Sequence, residues 1–292
     1  MGSLVGGPGE VPVITQQWAW NEVLQRGGYL PSEEIALMLG LAAEMGRPLL
    51  LEGPSGSGKT AVAYAAAHGL GESVIRLSCY EGLGASEALY DWNYHAQWAE
   101  LAANRGADPF REDFLMARPL LQAIRSPSSV LLIDEVDRAD EAFEALLLEY
   151  LSEFQISIPE RGTVKADHPP LTILTSNRQR PLSDALRRRC VYLYVDWPDL
   201  AREEEVVHFH VPDLTEALVR SVVGAVRKVR EWDLIKPPGL SETIDWAEAT
   251  RLRQVSSWNQ TWVEQTLGII VKDALDLERV RQRVAELVEP AT

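Results

Sequence analysis

Apolar runs of strand length alternate with helical stripes as far as Pro198, and beyond it only the stripes continue. Leu49-Leu50-Leu51 and Val130-Leu131-Leu132-Ile133 are unbroken runs closing on Glu52-Gly53 and Asp134-Glu135, as buried strands do at their carboxyl ends. Residues 74–79 alternate well enough for a strand, and 171–175 and 191–196 read as two more, so the pattern predicts five strands. Between them, Ile35, Leu37, Met38, Leu41 and Ala42 fall at helical spacing behind Ser32, which reads as an N-cap with Glu33 and Glu34 in the first turn. A short helix at 18–24, stopped by Gly27-Gly28, precedes it. Apolar stripes predict further helices after Thr60, over 118–124 with a stop at Ser126-Pro127, and over 140–153 through Phe143, Leu146, Leu147, Tyr150 and Leu151. Glu160-Arg161-Gly162 reads as the turn of a hairpin. Strands alternating with helices require a parallel sheet covered on both faces, an α/β core.

After Pro198, Asp213 with Glu216 resembles a capping box, and Leu214, Leu218, Val222, Val226 and Val229 form the stripe behind it. Pro237-Pro238-Gly239 breaks the chain, and 241–251, 261–273 and 277–288 read as helices. The expected division is therefore a core over 18–198 and an all-helical domain over 199–292. The glycine- and proline-rich residues 1–17 are expected to be disordered. The least regular stretch is 80–118, with a polar loop over 104–113. There Tyr90, Trp92, Tyr94 and Trp98 crowd together, and the first three alternate like a strand.

Composition adds exclusions. With 46% hydrophobic and 24% charged residues the chain is an ordinary globular one. A net charge of -15 argues against a broad nucleic-acid or anionic-membrane footprint. Cys79 and Cys190 offer neither a disulfide framework nor metal spacing, and a reducing compartment is expected. The N-terminus has no basic or apolar leader, position 6 is glycine where a myristoylation motif wants Ser or Thr, and no run approaches a membrane span. A cytoplasmic location is the expectation.

The chemistry starts at the end of the first apolar run. Gly53-Pro54-Ser55-Gly56-Ser57-Gly58-Lys59-Thr60 fits G-x-x-x-x-G-K-[ST] between a strand and a helix. Glycines let successive N–H groups turn inward on phosphate oxygens, and the helix N-terminus adds positive potential. Lys59 then reaches the β- and γ-phosphates and the Thr60 hydroxyl ligates Mg²⁺, so a nucleoside triphosphate with Mg²⁺ is the expected cofactor. Tyr29, in the link before the second helix, is assigned to the same nucleotide site. Asp134 is expected to hold the magnesium shell through water, and Glu135 to activate the attacking water. Two adjacent carboxylates favour a hydrolase over a kinase. Asn177 closes the fourth run, where an amide can hydrogen-bond the attacking water or the γ-phosphate. Arg187, Arg188 and Arg189 end a helix before the fifth run, and taken alone read as a solvated cationic face.

The order of these parts resembles the AAA+ ATPases: P-loop, Asp-Glu, strand-end Asn, then Ala-Leu-x-x-Arg. The resemblance covers roughly residues 29–290 and implies an AAA+ P-loop NTPase with a five-stranded parallel core and a small helical lid. It implies that Asn177 is sensor 1 and that Arg189, with Arg188 as the fallback, is a finger reaching a neighbour's γ-phosphate in a homo-oligomeric ring, a hexamer. Cys79-Tyr-Glu-Gly-Leu83, Ala88-Leu-Tyr-Asp-Trp-Asn-Tyr94, Phe114-Leu-Met-Ala-Arg-Pro-Leu120, Ile133-Asp-Glu-Val-Asp-Arg-Ala139 and Lys236-Pro-Pro-Gly239 are similar to the MoxR group and its CoxD-like branch. That similarity implies a chaperone-like role on a protein client, metalloenzyme maturation among the options, beside a von Willebrand A-domain protein. It also implies that 80–118 holds an insertion facing the ring axis, which would make residues 90–98 a client contact, against the alternative that the crowded aromatics are core. One departure is Thr243, where the group's lid pattern has a sensor 2 arginine; Arg251 or Arg253 could take that role, or the lid senses nucleotide weakly. Two alternatives stay open, a nucleic-acid motor or GTP-dependent restriction-type subunit, and a small-molecule P-loop kinase. His208 and His210 flank Phe209 without a third metal ligand, and Trp232, Trp246, Trp258 and Trp262 read as core or interface anchors.

Overall fold

A computed structural model describes residues 17–103, 108–126 and 128–288. The segment expected to be disordered lies outside these residues save Gln17, as do 104–107 of the polar loop and the helix-stopping Pro127. Contacts divide the chain into two compact units: the chain up to Gly53 with Lys59–Tyr194, and Pro54–Gly58 with the chain from Val195 on.

In the first unit, α1 (Gln17–Arg26) and α2 (Glu33–Glu44) precede β1 (Leu49–Glu52) and α3 (Lys59–Leu70). The Ser32 hydroxyl accepts the Ile35 N–H, so the cap read from sequence starts α2. Next come β2 (Ser73–Ser78), α4 (Ala85–Ala88), β3 (Tyr90–Trp92), α5 (Tyr94–Ala103), β4 (Leu115–Ala117) and α6 (Pro119–Arg125). The unit closes with β5 (Ser129–Asp134), α7 (Glu141–Glu153), the hairpin β6 (Gln155–Ile158) and β7 (Gly162–Lys165), then β8 (Leu171–Ser176), α8 (Asp184–Arg189) and β9 (Val191–Tyr194).

Five of the strands form one parallel sheet in the order β2-β5-β8-β1-β9. Every residue of β1, β5 and β8 is buried, which is why β1 and β5 read as near-continuous apolar runs rather than alternating ones. Leu50, Leu131, Ile133 and Leu174 join a core with Leu120, Leu121, Phe143, Leu147 and Leu186 from the helices. Burying each such leucine contributes about 1.5–3 kcal/mol. β8 stands between β1 and β5, so the carboxyl end of β8 falls between the P-loop strand and the Asp134 strand. Open parallel sheets place their ligands at this end.

The 80–118 stretch departs from the sequence reading. The aromatic alternation gives a strand of only three residues, β3, which pairs antiparallel with β4. Tyr94 starts α5 instead, because Asn93 caps that helix by accepting the Ala96 N–H at 3.1 Å. Trp92 then belongs to the core, 6% exposed and edge-on to Phe110 at 5.3 Å. Its assignment to a client surface is corrected, because strand pairing turns it inward.

The second unit contains α9 (Leu200–His210), α10 (Glu216–Arg230), α11 (Leu240–Leu252), α12 (Gln260–Thr266) and α13 (Ala274–Arg281). The stripe on α10 is buried as read, with Val222, Val226 and Val229 inaccessible to solvent. The Asp213–Glu216 box is not formed: Glu216 is the first helical residue and Thr215 stands at the N-cap. Nor do 261–273 make one helix, since Asp273 accepts the Leu275 and Asp276 N–H groups and so opens α13. Trp246 is fully buried against Trp258, with ring centroids 4.9 Å apart. No helix among the described residues is long and apolar enough to cross a membrane.

Candidate functional site

The loop between β1 and α3 has the backbone its glycines allow. Gly56 and Gly58 have φ of +75° and +92°, conformations that cost a side-chain-bearing residue about 1–2 kcal/mol. Lys59 is the first residue of α3, 4% exposed, and its ammonium donates to the Gly53 carbonyl at 3.0 Å. Burial lowers the Lys59 pKa, while Asp137, Asp134 and Glu135 act to raise it. A cation held against three carboxylates in a desolvated place is prepared for an anionic ligand.

Asp134, at the end of β5, is 3% exposed. Its Oδ1 accepts from the Thr60 hydroxyl at 3.0 Å and the Thr175 hydroxyl at 2.6 Å, and its Oδ2 takes Arg76 at 2.5 Å. Thr60 and Asp134 thus put a hydroxyl and a carboxylate side by side, an all-oxygen donor pair that suits magnesium. Glu135 follows in the left-handed region, φ 56° and ψ 48°, a conformation uncommon outside glycine and characteristic of functional sites. Two bonds hold it there: its N–H donates to Thr175 Oγ1 at 2.9 Å, and its Oε2 accepts from Arg138 at 2.7 Å. Its other oxygen, Oε1, accepts the Asn177 side-chain amide at 3.3 Å.

Asn177 is held in turn by Asp137, which is 2% exposed. Asp137 takes the backbone N–H of Asn177 at 3.1 Å and that of Gln179 at 2.8 Å. The structure therefore brings Lys59, Thr60, Asp134, Glu135 and Asn177 to one end of the sheet. It adds Arg76, Asp137, Arg138 and Thr175, which the sequence reading missed. Asp137 and Arg138 follow the Asp-Glu pair directly, and Arg76 faces it across β2–β5, where Ser78 is in register with Asp134.

The other residues named from sequence have the following surroundings. Arg189 is exposed at the end of α8, donating Nε to Ser152 at 2.9 Å, and Arg188 is exposed beside it. Arg47 closes the same helix end, donating to the carbonyls of Arg188 (2.5 Å), Arg189 (3.1 Å) and Cys190 (3.2 Å). Tyr29 is half-buried in the link between α1 and α2, its N–H on the Leu24 carbonyl. Tyr94 and Trp98, one turn apart on α5, are 57% and 73% exposed.

In the helical unit, Thr243 is buried and donates to Glu203 Oε1 at 3.0 Å. Arg230 donates to Thr243 at 2.9 Å and to Glu203 at 2.8 Å, and stacks on Trp197 at 4.4 Å. Arg251 is paired to Glu248 at 2.5 Å. The position four residues after Gly239 is thus filled by a hydroxyl that an arginine from α10 approaches. Among the described residues no three His, Cys, Asp or Glu side chains group as a metal site.

Residues 48–190 match the family model of the AAA domain, dynein-related subfamily. The chain is 29% identical over 203 residues to the gas vesicle ATPase GvpN1 of Halobacterium salinarum, covering 64% of this chain and 58% of that protein. It thus spans less than two thirds of that relative's length. To the protein NorQ of Paracoccus denitrificans it is 28% identical over 217 residues, covering 70% and 74% of the two chains. Among solved structures, a point mutant of RuvB from Thermotoga maritima superposes with a TM-score of 0.50 at 21% identity, over 88% of this chain and 74% of the other. That likeness supports the fold alone.

Proposed function

We propose, from the premise that this chain carries an AAA domain of the dynein-related, MoxR-like kind over residues 48–190, that it hydrolyses ATP to remodel or mature a protein partner. The observation carrying the ATPase reading is the meeting of Asn177 with Glu135 beside the Thr60–Asp134 pair. In that reading the loop 53–60 cradles the phosphates, with Lys59 as the direct cationic partner and Tyr29 flanking the nucleotide. Thr60 and Asp134 would hold magnesium, which when bound would supply positive charge to the phosphates. Glu135 takes the proton of the attacking water, and its fixed left-handed backbone keeps that carboxylate aimed. Asn177 touches the same carboxylate and so links the base to the end of β8.

Arg189 acts in trans, on the nucleotide of the next subunit of a homo-oligomeric ring, for which a hexamer is the proposed count. Its exposure and its hydrogen bond to Ser152, away from this chain's own cluster, support that assignment. The protein partner is met by the exposed Tyr94 and Trp98, large amphipathic rings that grip varied polypeptide by area. Relatives named as a gas vesicle ATPase and as NorQ support an assembly or maturation role, with a metalloenzyme among the clients and a von Willebrand A-domain protein as co-partner. The net charge of -15 disfavours a nucleic-acid substrate.

The test is phosphate release with calorimetry on a non-hydrolysable ATP analogue, in wild type and Lys59→Ala. Wild type is expected to bind and turn over, and the variant to lose tight binding with the loss of its charged phosphate partner. Unchanged affinity in the variant would move the nucleotide elsewhere.

A further inference from the structure

Glu52 is the last residue of β1, directly before the loop glycine Gly53, and it is 1% exposed. A carboxylate this deeply buried is retained only with partners that compensate its desolvation. Its principal partner is Arg187 of α8, whose Nη2 lies 2.9 Å from Oε1 and 3.2 Å from Oε2. Tyr192 of β9 donates its hydroxyl to Oε2 at 2.9 Å, and the Arg187 guanidinium lies over the Tyr192 ring at 5.8 Å. Ser176, in register with Glu52 across β8–β1, closes the group from the other side at 3.5 Å.

The arrangement matters because of what α8 is. It has six residues, too few to hold a direction by its own hydrogen bonds. It is held from outside: Leu186 is buried in the core, Arg47 binds its last carbonyls and Glu52 binds Arg187. Arg187 points inward to the P-loop strand, while Arg188 and Arg189, the next two residues, are exposed at the same helix end. One buried carboxylate therefore ties the strand that ends in a subunit's own phosphate loop to the helix carrying its exposed arginines.

We infer that Glu52 is a positioning residue for the arginine this chain offers its neighbour, acting through Arg187 and not on the nucleotide bound by its own loop. The inference rests on the proposed trans role of Arg189. A misplacement of about 1 Å in a catalytic group costs on the order of 10²-fold in rate, so Glu52→Gln is expected to lower turnover of the homogeneous ring by about that factor. Its affinity for a non-hydrolysable ATP analogue should stay within about threefold of wild type, because the loop and Lys59 are untouched.

Mixed rings separate this from a defect in the subunit's own site. Glu52→Gln keeps its base, so mixing it with Glu135→Gln, which keeps its finger, is expected to restore activity. Mixing Glu52→Gln with Arg189→Ala is expected to restore none, since both lack a placed finger. The reverse pattern, recovery with Arg189→Ala and none with Glu135→Gln, would overturn the inference and make Glu52 part of its own subunit's P-loop. Arg187→Gln, tested the same way, should fall in the same complementation group and guards against a Glu52 variant that fails to fold. The control is Arg189→Ala mixed with Glu135→Gln in rings shown to exchange. Recovery there with the reversed Glu52 pattern overturns the Glu52 role alone, whereas no recovery there removes the trans finger and the Glu52 role with it.

Discussion

The side-chain amide of Asn177 donates to Glu135 Oε1 at 3.3 Å, joining the ends of β8 and β5 across 42 residues of chain. With Arg138 on Oε2, both carboxylate oxygens are engaged, so the carboxylate proposed as the base is held in a fixed direction. Glu135→Gln keeps the shape and most of these contacts but cannot accept the proton. Hydrolysis should fall by about 10²–10⁴ while analogue affinity holds. Single-turnover phosphate release beside calorimetry checks it, and a matching loss of affinity would make Glu135 structural.

Arg189→Ala should bind ATP normally and hydrolyse it poorly. Fingers acting between subunits are worth on the order of 10³–10⁵ in turnover, and in this chain the arginine hydrogen-bonds Ser152 rather than its own nucleotide cluster. Turnover within about twofold of wild type would shift the role to Arg188, which is exposed beside it.

The two tryptophans of the 80–118 stretch should part company. Trp92→Ala removes a ring packed against Phe110 and Tyr90 and is expected to cost about 3–5 kcal/mol of stability. Trp98, 73% exposed, should change stability by no more than about 0.5 kcal/mol on truncation. Its loss is expected to show instead in stimulation of the ATPase by a protein partner. A melting point lowered as much by Trp98→Ala as by Trp92→Ala would place both in the core.

Glu203 is fully buried, with Arg230 at 2.8 Å, Arg227 at 3.3 Å and Thr243 at 3.0 Å. Glu203→Ala leaves Arg230, only 12% exposed, without its carboxylate. Breaking such a pair from one side costs about 3–5 kcal/mol. Urea unfolding should show the loss in the transition that reports Trp246 burial, and a shift below about 1 kcal/mol would mean the arginines find solvent instead.

Burial pushes the Cys79 and Cys190 thiols up to about 12; Asp134, Asp137 and Glu135 add to the shift at Cys79, and Arg47 opposes it at Cys190. In the unfolded chain a thiol ionises near about 8.5. Above that pH the unfolded state sheds protons that the folded state keeps, so these residues withdraw stability as pH rises from about 8.5 towards about 12. Native protein at about pH 8, just below that range, should resist iodoacetamide that labels both cysteines in denaturant. The fall in Tm above about pH 9 should be shallower in the Cys79→Ala, Cys190→Ala double variant.

The parts of the candidate nucleotide site were legible along the chain because they are contiguous and each needs its own residue type. A phosphate loop requires glycines followed by lysine and a hydroxyl, and a buried apolar strand shows its carboxyl end where the run gives way to carboxylates. Gly53 to Thr60, Asp134-Glu135 and Asn177 could therefore be read in order, and the apolar runs of β1 and β5 announced a sheet buried on both faces. What the chain could not state is which side chains meet across that sheet. Arg76 on Asp134, Asp137 beneath Asn177 and Glu52 on Arg187 join residues 40 to 135 positions apart. Their pairing follows from strand order, since inserting β8 between β1 and β5 is a tertiary event that no local periodicity encodes. The same reason explains Trp92. Alternation marked Tyr90, Trp92 and Tyr94 as one face of a strand, yet pairing with β4 and the Asn93 cap ended that strand at Trp92. Burial is decided by the partner a segment finds, and β3 found its own in β4, where Trp92 stands opposite Leu115.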